Sequence, residues 1–219
     1  MSYFTDPGKL TSLLGNMAEG SLTTIALFCI ALVASLPLGF LSALGSISRV
    51  KPVRWLVNLY VLIMRGTPLM LQIIFIYFGL GMIGIGLPRF LAAVVALVVN
   101  YTAYFSEIFR GGIQSIETGQ FEAADVLGMN YSLTMRRIVL PQVFKRVMPS
   151  VGNEVINLIK DTALVYTIGI SELLRVGQTS MMRDGSLLPL FIAGAFYLLM
   201  NALVTKGLRL VEKRFNYYR

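Results

Sequence analysis

The chain has 219 residues, of which 56% are hydrophobic and only 14% are charged. Because a soluble domain usually carries about 25% charged residues, this composition favours a protein that is solvated by lipid. The single cysteine, Cys29, excludes an intramolecular disulfide framework, and the absence of histidine removes the commonest metal ligand and general base. The net charge of +8 is better explained by basic cytoplasmic loops than by nucleic acid, which we do not expect as a partner.

Five segments are predicted to be transmembrane helices, because each holds about 20 or more mainly apolar residues. They lie near residues 20–47, 53–83, 88–111, 144–170 and 187–211. No internal repeat or linker separates them, so residues 1–219 are predicted to form a single all-α membrane domain. The first segment is too long for a cleaved signal peptide, and its basic neighbours follow it rather than precede it.

Basic residues predict the orientation of the chain, because cytoplasmic loops carry an excess of lysine and arginine. Segments 49–54, 110–146 and 206–219 hold most of the basic residues and fall on one side of the predicted spans. The opposite side holds Lys9, Arg89, Arg175 and Arg183. The N-terminus is therefore predicted to lie outside and the C-terminus in the cytoplasm, which an odd number of spans requires.

Proline and glycine interrupt two of the predicted spans. Pro37 lies inside the first span, where ordinary helix packing is the favoured explanation. Residues 66–68, Gly-Thr-Pro, lie inside the second span directly after Arg65, which makes a functional break more plausible there. A further amphipathic stretch, residues 171–186, is predicted to be a short external helix.

Polar side chains recur on single helix faces inside the predicted spans, although charges are costly there and usually face a protein interior or water. The fourth span places Glu154, Asn157 and Asp161 within about 60° of each other, since a helix turns by about 100° per residue. Lys160 lies on the flank of this stripe, and Thr162 follows it. The third span carries a stripe of its own, formed by Asn100, Tyr104 and Glu107. The second span carries Arg65 and Gln72, seven residues apart and also on one face.

Two explanations of these stripes stay open. The residues could pair with each other to hold the bundle together, with Lys160 or Arg65 neutralising Asp161 or Glu154. Alternatively they line a route for a polar solute, which we favour because three spans contribute polar faces. A zwitterionic ligand would match the mixed charges, with carboxylates for its ammonium and Arg65 or a helix N-terminus for its carboxylate.

The sequence lacks the parts of an enzyme. It contains no phosphate-binding loop of the form G-x-x-x-x-G-K-[ST], so the chain is not expected to bind ATP by itself. Without histidine it can form no Ser/His or Cys/His pair and no Cys/His metal cluster. We therefore expect no enzymatic activity, and any energy must come from a partner or from an ion gradient.

The longest polar stretch, residues 117–142, separates the third and fourth predicted spans. Residues 119–127 are rich in helix formers, with Thr118 as a candidate N-cap. Gly128 can adopt the left-handed turn that ends a helix. These features predict a short helix and a sharp turn on the cytoplasmic side.

A second short helix is predicted over residues 131–139. Asn130 is placed to cap it, and Arg136 and Arg137 suit the negative end of its dipole. Pro141 is expected to end it. By these features alone, the stretch is equally well explained as a docking element or as an interfacial anchor.

A specific spacing runs through this stretch: Glu122, Ala123, Ala124, Gly128, Ile138, Leu140 and Pro141. The pattern resembles the EAA loop of ABC importer membrane subunits. Residues 65–69, RGTPL, look like a segment of the polar amino acid permease subfamily. Residues 160–164, KDTAL, are similar to the KDTSL stretch of that subfamily, with Ala163 where serine is frequent. The resemblance covers nearly the whole chain.

The resemblance implies the transmembrane domain of a type I ABC importer, with five transmembrane helices and a cytoplasmic coupling-helix loop at residues 112–143. It implies that Glu122, Ala123, Ala124 and Gly128 belong to the coupling element, the alanines allowing close approach and the glycine the turn. Members with a known internal substrate site place it among the central helices. Our candidates for the substrate pathway are Glu154, Asn157, Asp161, Lys160, Thr162, Asn100, Tyr104 and Arg65.

The resemblance also implies partners in the bacterial plasma membrane. These are cytoplasmic ABC ATPase subunits, an external amino acid binding protein, and a second permease subunit that is identical or related. ATP and Mg²⁺ would be held by the ATPase, so no cofactor is expected in this chain. The leading hypothesis is thus the permease subunit of an ATP-driven amino acid importer.

Two other hypotheses are weighed against it. A secondary carrier driven by an ion gradient often has inverted repeats and more spans, which five spans without a visible repeat disfavour. A scaffold that only anchors a cytoplasmic protein does not explain the polar stripes within the spans. The sequence leaves open which amino acid is transported and which polar residues face the pathway.

Overall fold

A computed structural model describes Tyr3 and residues 7–214, and every regular element within them is helical. Arg219, among the basic residues used for orientation, lies outside the described residues. The helices are α1 Pro7–Ser46, α2 Lys51–Gly66, α3 Leu69–Met82, α4 Arg89–Gln114, α5 Thr118–Val126, α6 Tyr131–Thr134, α7 Leu140–Asp161, α8 Leu173–Asp184 and α9 Leu188–Arg214. A π-helical turn, Phe75–Gly79, lies within α3, and a second, Met135–Val139, joins α6 to α7. A 3-10 segment, Thr162–Ile168, follows α7.

Length and composition identify three of these helices, α1, α4 and α9, as able to cross a membrane. Helices α2 and α3 meet the same criterion if they count together as one span, although they are bent by 106° at the break between them. Helix α7 is not among the helices that meet it, and it carries five charged residues: Lys145, Arg146, Glu154, Lys160 and Asp161. The described residues therefore hold three or four candidate spans, and the fifth stays a prediction.

Helices α1 and α4 pack along each other and form the centre of the core. Helix α1 continues through Pro37, so this proline does not end it. Gly39 sits where the two helices cross, because a Cβ built on it would lie 2.5 Å from Cβ of Phe105. A glycine is required at such a close approach of two helices.

Three phenylalanines join α1, α4 and α7 near the predicted cytoplasmic end. The ring centroids of Phe40 and Phe109 are 5.6 Å apart, and Phe144 lies 6.3 Å from Phe109 and 6.4 Å from Phe40. Nearby, a Cβ on Gly112 would lie 2.2 Å from Val147, so α4 and α7 also pack closely here. The segment that connects α4 to α7, and that carries α5 and α6, therefore begins and ends at helices that are tightly packed against each other.

Glu172 is fully buried at the opposite end of the molecule and was not singled out from the sequence. It caps α8, accepting hydrogen bonds from the backbone N–H groups of Leu174 at 2.8 Å and Arg175 at 2.7 Å. The Tyr197 hydroxyl of α9 donates a third, at 2.8 Å. Burial raises the pKa of the Glu172 carboxyl, and these donors oppose the shift. The helix predicted within residues 171–186 is confirmed as α8, which Glu172 links to α9, while its external position stays a prediction.

Candidate functional site

The break between α2 and α3 creates a backbone carbonyl without its helical partner. Pro68 has no N–H, so it cannot donate to the carbonyl of Met64 four residues earlier. Two side-chain amides replace that donor: Gln72 Nε2 lies 2.9 Å and Asn100 Nδ2 3.1 Å from the Met64 oxygen. Asn100 also donates to Gln72 Oε1 at 3.0 Å. The amides therefore link α2, α3 and α4 at the break.

Arg65 lies immediately before this break and faces the polar stripe of α4. Its guanidinium lies over the Tyr104 ring, 5.5 Å from the centroid, and 3.8 Å from Oε1 of Glu107. Glu107 is more closely paired with Arg110 on its own helix. The long distance to Glu107 leaves Arg65 only loosely held by that ion pair.

A cavity of about 450 Å³ lies between α4 and the end of α7. Its lining residues are Tyr101, Tyr104, Glu154, Asn157, Lys160 and Asp161. The Tyr101 hydroxyl donates a hydrogen bond of 2.7 Å to Oδ2 of Asp161, which connects the two helices across the cavity wall. The predicted stripe on α7 therefore shares one cavity, and its flanking lysine reaches the same space.

The charges of this cavity are mixed. Glu154 and Asp161 are half-buried, and Lys160 is exposed. No ion pair joins any of these three side chains within the described part of the chain. The ion pairs of the alternative explanation are therefore not formed at contact distance among the described residues, although Lys160 and Arg65 attract Asp161 and Glu154, respectively, over a longer range. Two carboxylates and an ammonium remain available to a ligand that carries both charges.

Three predicted pathway residues lie elsewhere. Asn100 is buried at the α2–α3 break. Thr162 is fully buried, and its hydroxyl donates to the Ile159 carbonyl at 2.7 Å. Arg65 lines an adjoining space of about 670 Å³ with Glu107 and Arg110, and its guanidinium reaches the edge of the 450 Å³ cavity over the Tyr104 ring.

Tyr101 lines the cavity but was missed in the sequence. It is 2% exposed, so an aromatic residue in an apolar span was indistinguishable from core. It precedes Tyr104 by three residues, a spacing that places two side chains side by side on a helix. The three-residue spacing could therefore have predicted that the Tyr101 hydroxyl lies on the same face of α4 as Tyr104.

The predicted helix–turn–helix between α4 and α7 is present. Gly128 has a φ of +69° and donates to the Asp125 carbonyl at 2.8 Å, while Met129 N donates to the Ala124 carbonyl at 3.0 Å. These two bonds form a Schellman motif, which ends α5 as predicted. Thr118 is not the N-cap: α5 begins at Thr118, after an extended Glu117 whose side chain makes no capping bond.

The second part of this segment differs from the prediction. Asn130 caps α6 as expected, its Oδ1 accepting from Leu133 N at 2.9 Å. Pro141 does not end a helix, because the chain stays helical from Tyr131 to Asp161. The π-helical turn at Met135–Val139 shifts the hydrogen bonds by one residue, and Pro141 then falls in the first turn of α7, where no N–H is needed.

The three predicted coupling residues within α5 differ in how exposed they are. Glu122 and Ala123 are exposed, whereas Ala124 is 1% exposed and packs on its own chain. Ala124 is therefore not available for close approach by a partner, contrary to the expectation for both alanines. The exposed apolar part of the segment is instead formed by Val126 and Leu127, at 88% and 76% exposure.

Comparisons with known proteins give a family match and several relatives. Residues 35–217 match the family described as "Binding-protein-dependent transport system inner membrane component". The arginine transport system permease protein ArtQ of Bacillus subtilis is 39% identical over 90% of both chains. A putative glutamine transport system permease protein, GlnP of Rickettsia felis, is 35% identical, with 90% of this chain and 92% of the relative covered.

A solved structure shares the same architecture. The crystal structure of an amino acid ABC transporter with histidines contains a chain that is 35% identical and superposes with a TM-score of 0.87, covering 94% of this chain and 97% of that one. The predicted fold class and the role as a non-catalytic transport component are confirmed by these matches. The ion-gradient carrier is not favoured. The chain belongs to the family of binding-protein-dependent transport system inner membrane components.

Proposed function

We propose that this chain conducts a polar amino acid across the membrane as the permease subunit of an ATP-driven importer. The observation that carries the proposal is the cavity in which Glu154, Asp161 and Lys160 converge without pairing in the described part of the chain. Relatives described as arginine and glutamine transport permeases support an amino acid as cargo. A cavity of about 450 Å³ is large enough for such a small solute.

The cavity offers complementary groups to both charges of an amino acid. Glu154 and Asp161 suit the α-ammonium or a cationic side chain, because a carboxylate accepts charge-assisted hydrogen bonds. Lys160, and Arg65 beside Tyr104, suit the α-carboxylate. Two carboxylates near the cavity favour a cationic or neutral polar substrate over an acidic one.

The α5 segment is proposed as the contact to a separate ATPase that holds ATP and Mg²⁺. Val126 and Leu127 form an exposed apolar tip, and Gly128 turns the chain sharply behind it. Beside the tip lies a cleft of about 360 Å³ whose lining includes Glu122 and Tyr131. The segment is anchored to tightly packed α4 and α7, so a displacement of α5 would be transmitted to the cavity helices.

The proposed assembly contains two permease subunits, two ATPases and an external amino acid binding protein. The distribution of basic residues supports a cytoplasmic position for α5 and the C-terminus, with the N-terminus outside. In this arrangement the cavity lies between the binding protein and the ATPases, and α5 faces the source of energy.

Reconstitution tests the proposal. The chain is co-expressed with a candidate ABC ATPase and a candidate amino acid binding protein from the same genome, purified and placed in liposomes, and uptake of a panel of labelled amino acids is measured. We expect uptake only with ATP on the ATPase side and with the binding protein present. Uptake by the chain alone, driven by a Na⁺ or H⁺ gradient, would overturn the proposal.

A further inference from the structure

Each of the three residues in the polar stripe of α4 contacts the residues just before the α2–α3 break. Asn100 donates to the Met64 carbonyl, Tyr104 lies under the Arg65 guanidinium, and Glu107 lies 3.8 Å from it. The polar stripe of α4 therefore faces the break between α2 and α3 as well as the 450 Å³ cavity. Only Tyr104 belongs to both.

We propose that Gln72 and Asn100 are positioning residues that set the place of Arg65 at the edge of the cavity and so determine how strongly the permease prefers a free carboxylate on its substrate. The inference rests on the proposed function, in which Arg65 faces that carboxylate. Neither amide lines the cavity, so both act through Arg65.

The hydrogen bonds of Gln72 explain how the break is held in one conformation. Its two Nε2 hydrogens face three acceptors: Met64 O at 2.9 Å, Thr67 Oγ1 at 2.8 Å and, as the weaker part of a shared bond, Thr67 O at 3.2 Å. Thr67 Oγ1 in turn donates to the Ile63 carbonyl at 2.8 Å. A single side chain thus satisfies backbone groups on both sides of Gly66, the most freely rotating residue of the break.

Asn100 fixes this arrangement to α4. It is 3% exposed and donates both to Met64 O and to Gln72 Oε1, at 3.1 and 3.0 Å. Gln72 is half-buried, and the two amides share the Met64 carbonyl and a bond between them, so they act as a unit and removal of Gln72 takes one partner from the buried Asn100. The unit holds the residue that precedes Arg65 in the chain.

Arg65 depends on this backbone support because its own side-chain contacts are weak. The guanidinium is exposed, its ion pair with Glu107 is long, and Glu107 is committed to Arg110. A rotation at the break would therefore move Arg65 away from Tyr104 without breaking a strong side-chain bond. A displacement of about 1 Å is enough to weaken a positioned interaction severely.

The experiment measures binding to the purified permease–ATPase complex in nanodiscs, with the binding protein left out so that its own selectivity does not contribute. Two probes are compared: the amino acid with the fastest ATP-driven uptake, and its α-carboxamide. We expect the wild-type complex to prefer the carboxylate, and Arg65→Leu to lose that preference. Gln72→Leu and Asn100→Leu should each lower the ratio of the two affinities about tenfold, and the double variant should lower it no further.

Asn201→Leu is the matched control, because among the described residues its amide donates to the Tyr197 carbonyl of its own helix alone, at 3.0 Å. It should leave the ratio unchanged. If Gln72→Leu does not assemble, Thr67→Val removes one acceptor of Gln72 and should lower the ratio by a smaller factor. A merely structural role would weaken binding of both probes equally and leave the ratio unchanged.

The outcomes separate this inference from the proposed function. Equal affinity of the wild-type complex for both probes, or no binding at all, overturns the assignment of Arg65 and with it the proposed recognition. Loss of preference in Arg65→Leu together with a wild-type ratio in Gln72→Leu, Asn100→Leu and Thr67→Val overturns the positioning role alone.

Discussion

The Tyr101 hydroxyl donates to Oδ2 of Asp161 over 2.7 Å and joins the middle of α4 to the last residue of α7. The bond orients the carboxylate at the point where the α-helix changes into the 3-10 segment Thr162–Ile168. A carboxylate held in this way keeps its remaining lone pairs free for a cationic group.

Tyr101→Phe removes this hydroxyl and retains the ring. We expect the half-buried Asp161 to lose its orientation, uptake to fall through a higher KM, and the folded state to lose about 1.5–3 kcal/mol, the value of a hydrogen bond to a charged group. Uptake kinetics and thermal denaturation in detergent measure the two effects. Tyr60→Phe is the control, since that hydroxyl donates to the Val99 carbonyl outside the cavity, and an equal rise in KM in both variants would argue against the assignment.

Asp161→Asn keeps an acceptor for Tyr101 and removes one negative charge from the cavity. We expect assembly with the ATPase to survive and uptake to fall, because an amide cannot form the charge-assisted bond to an ammonium. Uptake and co-purification are compared with those of Glu19→Gln, an exposed carboxylate on α1. Unchanged uptake in Asp161→Asn would return the stripe to a structural role.

Gly128→Val tests the coupling segment. A β-branched residue at a φ of +69° is strained by at least about 1–2 kcal/mol, so the turn behind Val126 and Leu127 should open. ATP hydrolysis should continue while uptake per ATP falls. Gly119→Val is the control: it lies in α5, the helix that this turn ends, has open space around its Cβ and should remain coupled. A normal ratio of uptake to hydrolysis in Gly128→Val would show that the turn does not transmit the motion.

Gly39→Ala tests the crossing of α1 and α4. The new methyl group would lie 2.5 Å from Cβ of Phe105, so we expect a loss of about 1–3 kcal/mol from overpacking and a lower melting temperature. Gly15→Ala, on the same helix with no atom within 4 Å, should be neutral or stabilising. Equal melting temperatures for the two variants would mean that the helices separate readily at this crossing.

Periodicity was sufficient to predict the cavity wall on α7, because Glu154, Asn157 and Asp161 fall on one helix face whatever their neighbours are. It was not sufficient on α4. Asn100 shares a face with Tyr104 and Glu107, but its amide is committed to the Met64 carbonyl. That carbonyl needs a donor because Pro68 lacks an N–H, a requirement that depends on how two helices meet and that one helix cannot reveal.

Local capping was predictable where a side chain acts on its own turn. Asn130 and Gly128 both behave as their residue types indicate. Pro141 did not, since the π-helical turn before it removed the need for its N–H. Glu172 was also missed, because a buried carboxylate depends on Tyr197, a distant residue that sequence spacing does not connect with it.

Equilibrium binding of the transported amino acid to the purified permease–ATPase complex tests the central claim most directly, because it separates the cavity from the coupling segment. The wild-type and Gly128→Val complexes should bind the amino acid with equal affinity, since the turn lies outside the cavity. The Asp161→Asn complex should bind it at least about tenfold more weakly, a loss of about 1.4 kcal/mol. Undiminished binding in Asp161→Asn, or loss of binding in Gly128→Val, would contradict the account.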